Sequence, residues 1–136
     1  VVYAPALDVC YWAVKGEGAF KNGQKLPLKS KEQRKNYKIV VSRSHMSHET
    51  QAFIEQIKTN KKKELISKGS SLKVCLVAEG EVDIYPRLAP TMEWDTGASH
   101  VIVNESGMKL RGFVDNSYTN FLYNKENLLN SEFIVA

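Results

Sequence analysis

The chain has 136 residues, 43% of them hydrophobic and 25% charged, the balance of one folded domain rather than of a disordered or collagen-like chain. Its net charge of +4 favours an anionic partner only weakly. No apolar run reaches the roughly 18 residues that a spanning helix needs, so neither a membrane nor a nucleic acid is the expected partner.

Val1-Val2-Tyr3-Ala4 is an apolar run with no basic stretch and no Met before it. It reads as a cut strand and not as a signal peptide, so the chain is expected to be a piece of a longer protein. Cys10 to Lys15 reads as a second strand, with Pro5-Ala6-Leu7-Asp8 as the turn between them. Gly16 and Gly18 interrupt that strand. Asn22-Gly23 then signals a two-residue hairpin between Ala19-Phe20 and Lys25-Leu26. A few strands do not hold alone, so residues 1–28 call for a partner sheet. The two cysteines, Cys10 and Cys75, make neither a disulfide framework nor a metal site. They point to a reducing compartment and thus to the cytoplasm, with peripheral attachment to an inner membrane left open.

Lys29 to Asn36 reads as a polar linker. Tyr37 to Ser42 is an apolar strand centred on Ile39-Val40-Val41. Ser47 caps a helix to about Lys58, with Ala52, Phe53, Ile54 and Ile57 on its apolar face. Thr59 to Lys63 is a basic, solvated loop, and Glu64 to Ser67 a short strand. Ser70 or Ser71 opens a helix that is apolar nearly all round, hence buried on more than one side, with Gly80 as its stop. Val82 and Ile84 alternate in a third strand that Pro86 ends. Pro90-Thr91 opens a helix near Glu93, with Trp94, Ala98, Val101 and Ile102 on one face and Gly107 at its end. Met108 to Leu110 is a fourth strand, residues 111–131 are mostly loop, and Phe133 to Ala136 is a last apolar run. Strands alternating with helices imply an α/β fold with a largely parallel or mixed sheet flanked by helices. The strands of residues 1–28 belong to a separate antiparallel sheet, and residues 29–136 form the α/β domain.

Four clusters carry chemistry. Ser42-Arg43-Ser44-His45 follows a strand, where ligands of open α/β sheets collect, and His45 can donate to a phosphate or a base. Gly69-Ser70-Ser71-Leu72-Lys73 offers hydroxyls and backbone N–H groups to an anion. Lys73 opposes the helix dipole unless an anion stands in front of it. In Asp83-Ile84-Tyr85-Pro86-Arg87, the Arg87 guanidinium suits a phosphate or a base face. In Glu93-Trp94-Asp95-Thr96, Asp95 suits either a helix cap or a hard divalent cation, which prefers oxygen ligands.

In order and spacing these motifs resemble the CysQ-type 3'(2'),5'-bisphosphate nucleotidases of the inositol monophosphatase superfamily. The same holds for Cys75-Leu76-Val77-Ala78-Glu79-Gly80, Pro90-Thr91, the opening Val1-Val2-Tyr3-Ala4-Pro5 and the closing Leu128-Leu129-Asn130. The resemblance runs over nearly the whole chain. It implies the C-terminal domain of a layered α/β sandwich and a Mg²⁺-dependent, lithium-sensitive phosphatase acting on adenosine 3',5'-bisphosphate or a similar small phosphorylated substrate, with a homodimer possible. By the same resemblance Asp95 is a metal ligand, and His45, Gly69, Ser70, Lys73 and Arg87 hold the substrate together with Asp95. The family's remaining metal ligands lie in an Asp-Pro-(Ile/Leu)-Asp-Gly-Thr motif and a preceding glutamate. Neither Asp-Pro nor Asp-Gly occurs in this chain, so its catalytic residues are expected upstream and the piece alone is expected to be inactive. After Trp94-Asp95-Thr96 the family commonly has Ala-Ala-Gly, where this chain has Gly97-Ala98-Ser99.

Overall fold

The structure is a computed structural model that describes residues 1–32, 34–42 and 46–136. Its first 25 residues form an antiparallel sheet in chain order: β1 (Val2–Ala4), β2 (Val9–Val14), β3 (Gly18–Lys21) and β4 (Gln24–Lys25). A single 3-10 turn, Pro5–Leu7, joins β1 to β2. Asn22 and Gly23 take positive φ (46° and 81°), as the tight hairpin turn demands. The Asn22 side chain also accepts from the Cys10 N–H at 2.8 Å. Tyr11, Ala19 and Leu26 point inward.

The second region begins with β5 (Asn36–Ser42), which runs parallel to β6 (Lys62–Lys68) across the crossover helix α1 (His48–Gln56). Ser47 caps α1 by accepting from the Thr50 N–H. After α2 (Leu72–Ala78) come β7 (Tyr85–Arg87), α3 (Glu93–Glu105), β8 (Leu110–Val114), β9 (Ser117–Thr119) and β10 (Phe133–Val135). The last four strands form an antiparallel sheet of order β7-β10-β8-β9. A parallel bridge between Ile39 and Ile84 ties it to β5. The sheet is therefore mixed, with parallel pairing confined to β5 and its two neighbours, and not largely parallel.

Pro86 explains that boundary. It lies inside β7 opposite Ile134 and does not end the strand. Ile84 N donates to Lys38 O and Val40 N to Ile84 O. The next donor in a parallel ladder would be residue 86, which as proline has no N–H. Pairing with β5 stops there, and β7 continues on its other edge against β10.

Other expectations shift for local reasons. The basic stretch is not all loop: Lys62 and Lys63 belong to β6, and Lys63 Nζ donates to Ile54 O (2.7 Å) and Glu55 O (2.9 Å) at the end of α1. The fourth strand starts at Leu110 and runs on to Val114. A turn at Asp115-Asn116, both at positive φ, then leads into β9. The buried face of α3 is Thr96, Ser99, Ile102 and Val103, whereas Trp94 is 68% exposed. Thr96 and Ser99 turn their hydroxyls onto helix carbonyls, those of Glu93 and Thr96. A polar side chain can be buried when it is bonded in this way.

The supposed linker is pinned down. Leu28 N and Lys29 N both donate to Glu79 O. Arg34 pairs with Asp83 at 2.8 Å, and Lys29 and Lys38 pair with Glu81. One hydrophobic cluster joins Tyr11, Ala19 and Leu26 to Val74, Cys75, Val77, Ile102, Val103 and Phe133. A second, of Ile39, Val41, Ile54, Ile84, Leu88, Phe113 and Ile134, lies between the mixed sheet and α1. The layers are thus antiparallel sheet, α2 with α3, mixed sheet, and α1. One face of the first sheet packs on α3.

Candidate functional site

The end of β5, the turn before α2, the end of β7 and the start of α3 surround a cavity of about 280 Å³. Ser42, Ser70, Ser71, Lys73, Tyr85, Arg87, Thr91, Trp94, Asp95 and Thr96 line it. Four residues singled out from the sequence, Ser70, Lys73, Arg87 and Asp95, therefore meet at one place. Gly69 precedes that turn without lining the cavity, and a Cβ there would touch nothing within 4 Å. His45 lies outside the described residues.

Local conformation sets the turn. Ser70 adopts φ +56°, a left-handed geometry that a non-glycine residue enters at a cost. Its carbonyl accepts from Lys73 Nζ at 2.9 Å. Lys73 is only 6% exposed, and its ammonium stands 5.3 Å from the centroid of the Tyr85 ring. Burial lowers the Lys73 pKa from its ordinary value, the Arg87 charge lowers it further, and Asp95 opposes both. Tyr85 packs edge-to-face on Phe133, and burial pushes its phenol up to about 12. Arg87 gives Nη2 to Pro90 O at 3.1 Å, while its buried Nε has no hydrogen-bond partner among the described residues. The cavity wall thus carries two cationic side chains, Lys73 and Arg87, beside the Asp95 carboxylate.

Asp95 sits in the first turn of α3, where a carboxylate suits the helix dipole. Its Oδ2 accepts from the Met92 N–H at 2.8 Å, which leaves Oδ1 without a hydrogen bond among the described residues. Among the described residues it is the one carboxylate in the lining. Among the described residues no three His, Cys, Asp or Glu side chains gather as a metal site would need. The described residues would supply Mg²⁺ with one carboxylate ligand, Asp95, and its remaining ligands would have to come from outside them.

Sequence reasoning missed Tyr85, Thr91 and Thr96 as lining residues. Each stood inside a motif that had been singled out for a neighbour. Asn130 was noted only as part of a closing motif. It is buried, and it donates to Thr91 Oγ1, Met92 O and Thr96 Oγ1. No local pattern announces such a contact across 34 to 39 residues.

The profile described as the inositol monophosphatase family matches residues 1–133. The 3'(2'),5'-bisphosphate nucleotidase CysQ of Salmonella typhimurium is 41% identical over 109 residues, 79% of this chain and 42% of that protein. The protein of the same name from Buchnera aphidicola is 38% identical across the whole chain, which covers 51% of it. The crystal structure of CysQ from Bacteroides thetaiotaomicron superposes with a TM-score of 0.87 at 40% identity, over 98% of this chain and 55% of that one. Staphylococcal IMPase-II with inositol monophosphate bound superposes at 0.73 with 22% identity, a likeness of fold alone. The chain spans about half the length of the curated relatives it matches.

Proposed function

The chain belongs to the inositol monophosphatase family, and on that premise we propose that it is the C-terminal part of a Mg²⁺-dependent phosphatase that converts adenosine 3',5'-bisphosphate to AMP and phosphate. In that reaction water adds to the 3'-phosphorus, the bond from phosphorus to O3' breaks, and the 3'-oxygen leaves as a hydroxyl. The observation that carries the reading is the pair of cations, Lys73 and Arg87, on the cavity wall that also holds Asp95. A substrate with two phosphates needs charge at two points, and a monophosphate needs less.

Lys73 and Arg87, with the Ser70 hydroxyl, hold the nucleotide and the phosphate that is kept; Gly69 and His45 are assigned with them on the family resemblance alone. Bound Mg²⁺ would neutralise phosphoryl oxygens and acidify the attacking water, with Asp95 supplying one of its ligands. The other ligands and the group that orients the water belong to the part of the protein this chain does not span. A polypeptide of these 136 residues alone therefore releases no phosphate. Mg²⁺-dependent release by the purified piece would contradict this.

None of the described helices is long and apolar enough to cross a membrane. The free thiols Cys10 and Cys75 suit a cytoplasmic setting. The test of substrate uses the full-length protein with Mg²⁺, comparing phosphate release from adenosine 3',5'-bisphosphate and from inositol 1-phosphate. The reading expects a clear preference for the bisphosphate. Equal or faster turnover of inositol phosphate would replace it with a sugar or inositol monophosphatase.

A further inference from the structure

Asn130 stands just before β10, 5% exposed. Its Nδ2 donates to Met92 O at 2.7 Å, Thr91 Oγ1 at 3.1 Å and Thr96 Oγ1 at 3.2 Å. Its backbone N–H adds a bond to Thr91 O at 2.9 Å. Met92 O is an acceptor only, so the amide cannot be turned round: Oδ1 in the place of Nδ2 would face a carbonyl oxygen.

Met92 is also where Asp95 is tied. The Met92 N–H binds Asp95 Oδ2 at 2.8 Å, and Met92 O accepts from the Asp95 N–H at 3.0 Å. Thr96 is held from a second side, because Tyr123 OH donates to its Oγ1 at 3.1 Å. Thr96 Oγ1 donates to Glu93 O, so that hydroxyl gives one bond and receives two. Glu93 ties the same turn to the 124–128 segment, through its N–H to Leu128 O and its carboxylate to Asn124 N, Lys125 N and Lys125 Nζ. Among the described residues Asn130 is the side chain bonded to both Met92 and Thr96, the two residues that flank Asp95's own bonds.

We infer that Asn130 is a positioning residue: it fixes the first turn of α3 against the closing segment and so aims the free Asp95 oxygen into the cavity. The inference rests on the reading of Asp95 as part of the reactive site. Asn130 itself does not line the cavity, so it acts through Met92 and Thr96.

The test uses Asn130→Asp in the full-length protein. The change keeps the shape but sets an oxygen against Met92 O. Hydrogen exchange of the amides of 91–96 should speed up about tenfold or more while that of 101–105 is unchanged, since opening is local. With whichever phosphate monoester the wild type turns over best, kcat should fall about 10²-fold through misplacement of a reacting group while KM moves less than about threefold. Unchanged exchange at 91–96, equal acceleration along all of α3, or a wild-type kcat would each overturn the inference. Should Asn130→Asp fail to fold, Asn130→Ser, whose short side chain cannot bridge Met92 O and Thr96 Oγ1, is judged by the same readouts in the same direction. A wild type that rejects the bisphosphate refutes the proposed substrate, whereas the exchange measurement still decides the role of Asn130.

Discussion

Replacing Lys73 by Met separates binding from stability. Methionine keeps an unbranched side chain against the Tyr85 ring and removes the charge. In the free protein the ammonium gives one bond, to Ser70 O at 2.9 Å, and lies beside the like charge of Arg87. Its lowered pKa means that burial and Arg87 together outweigh what Asp95 returns. Folding stability should therefore stay within about 1 kcal/mol of wild type. Because the folded state binds fewer protons than the unfolded one between the lowered pKa and the ordinary ~10.4, wild-type stability rises with pH through that window. Lys73→Met loses this rise. Ligand binding should behave otherwise. Losing a charge-assisted bond to phosphate removes about 1.5–3 kcal/mol, or roughly a ten- to 150-fold weaker Kd. Calorimetric titration of the full-length protein with AMP and with adenosine 3'-monophosphate locates the loss. If Lys73 grips the 5'-phosphate, which the reaction keeps, AMP binding weakens by that factor and adenosine 3'-monophosphate binding does not. Equal losses on both ligands, or a fall in melting temperature large enough to explain weaker binding, would refute the assignment.

Asp95→Asn retains an oxygen to accept from the Met92 N–H, so the melting temperature should hold to within the effect of one helix-dipole charge, about 0.3–1 kcal/mol. Turnover of the full-length protein should fall by roughly 10²-fold or more, as the loss of charge at a metal-assisted step requires; a near-normal kcat would remove Asp95 from the reactive site. Glu81 is held by Lys29 and Lys38, which pull its pKa down to about 2. Its share of stability is present above the ordinary carboxylate value of ~4.3 and is lost as pH falls toward the lowered value. Urea midpoints measured from about pH 5 down to about pH 3 should accordingly fall less steeply for Glu81→Gln than for wild type, and parallel curves would contradict this. Gly80→Ala combines φ +78° with a Cβ that would overlap the Lys29 carbonyl oxygen, so it should destabilise by about 2–4 kcal/mol. A urea midpoint equal to that of wild type would mean the segment yields freely.

Where the signal is local, the sequence carries the fold well. Asn22-Gly23, the Ser47 cap, the Gly80 stop and the all-round apolar helix at 72–78 depend on neighbours within a turn or two, and each lies where its chemistry puts it. The misplacements share a different cause, namely partners distant in sequence. Pro86 ends one ladder while the same strand continues along another, because β10, some fifty positions later, arrives on its free side. Asp115-Asn116 makes a hairpin turn without glycine, so residues 111–131 lacked a turn signal strong enough to divide strand from loop. The buried face of α3 reads as polar because Thr96 and Ser99 bond back onto their own helix, which hydropathy does not register.

The same distinction separates the cavity's charged groups from what supports them. Lys73 and Arg87 stand out in the sequence because a cation at a helix start or a strand end asks for a reason. What holds Lys73 in place does not. The helix that carries it is seven residues long, too short to be stable by itself. It is pinned at its far end by Glu79, whose buried carboxylate accepts from Tyr11 OH and Lys21 Nζ, both at 2.8 Å. Tyr11 and Lys21 belong to the antiparallel sheet, 68 and 58 positions away. Burial first and then Glu79 raise the Tyr11 pKa, so the phenol stays a donor to that carboxylate. Between that tie and the cavity lie Val74, Cys75, Val77 and Ala78, all buried, and a close-packed interior transmits displacement instead of absorbing it. The first sheet thus anchors the far end of the helix that carries Lys73, although none of its residues lines the cavity.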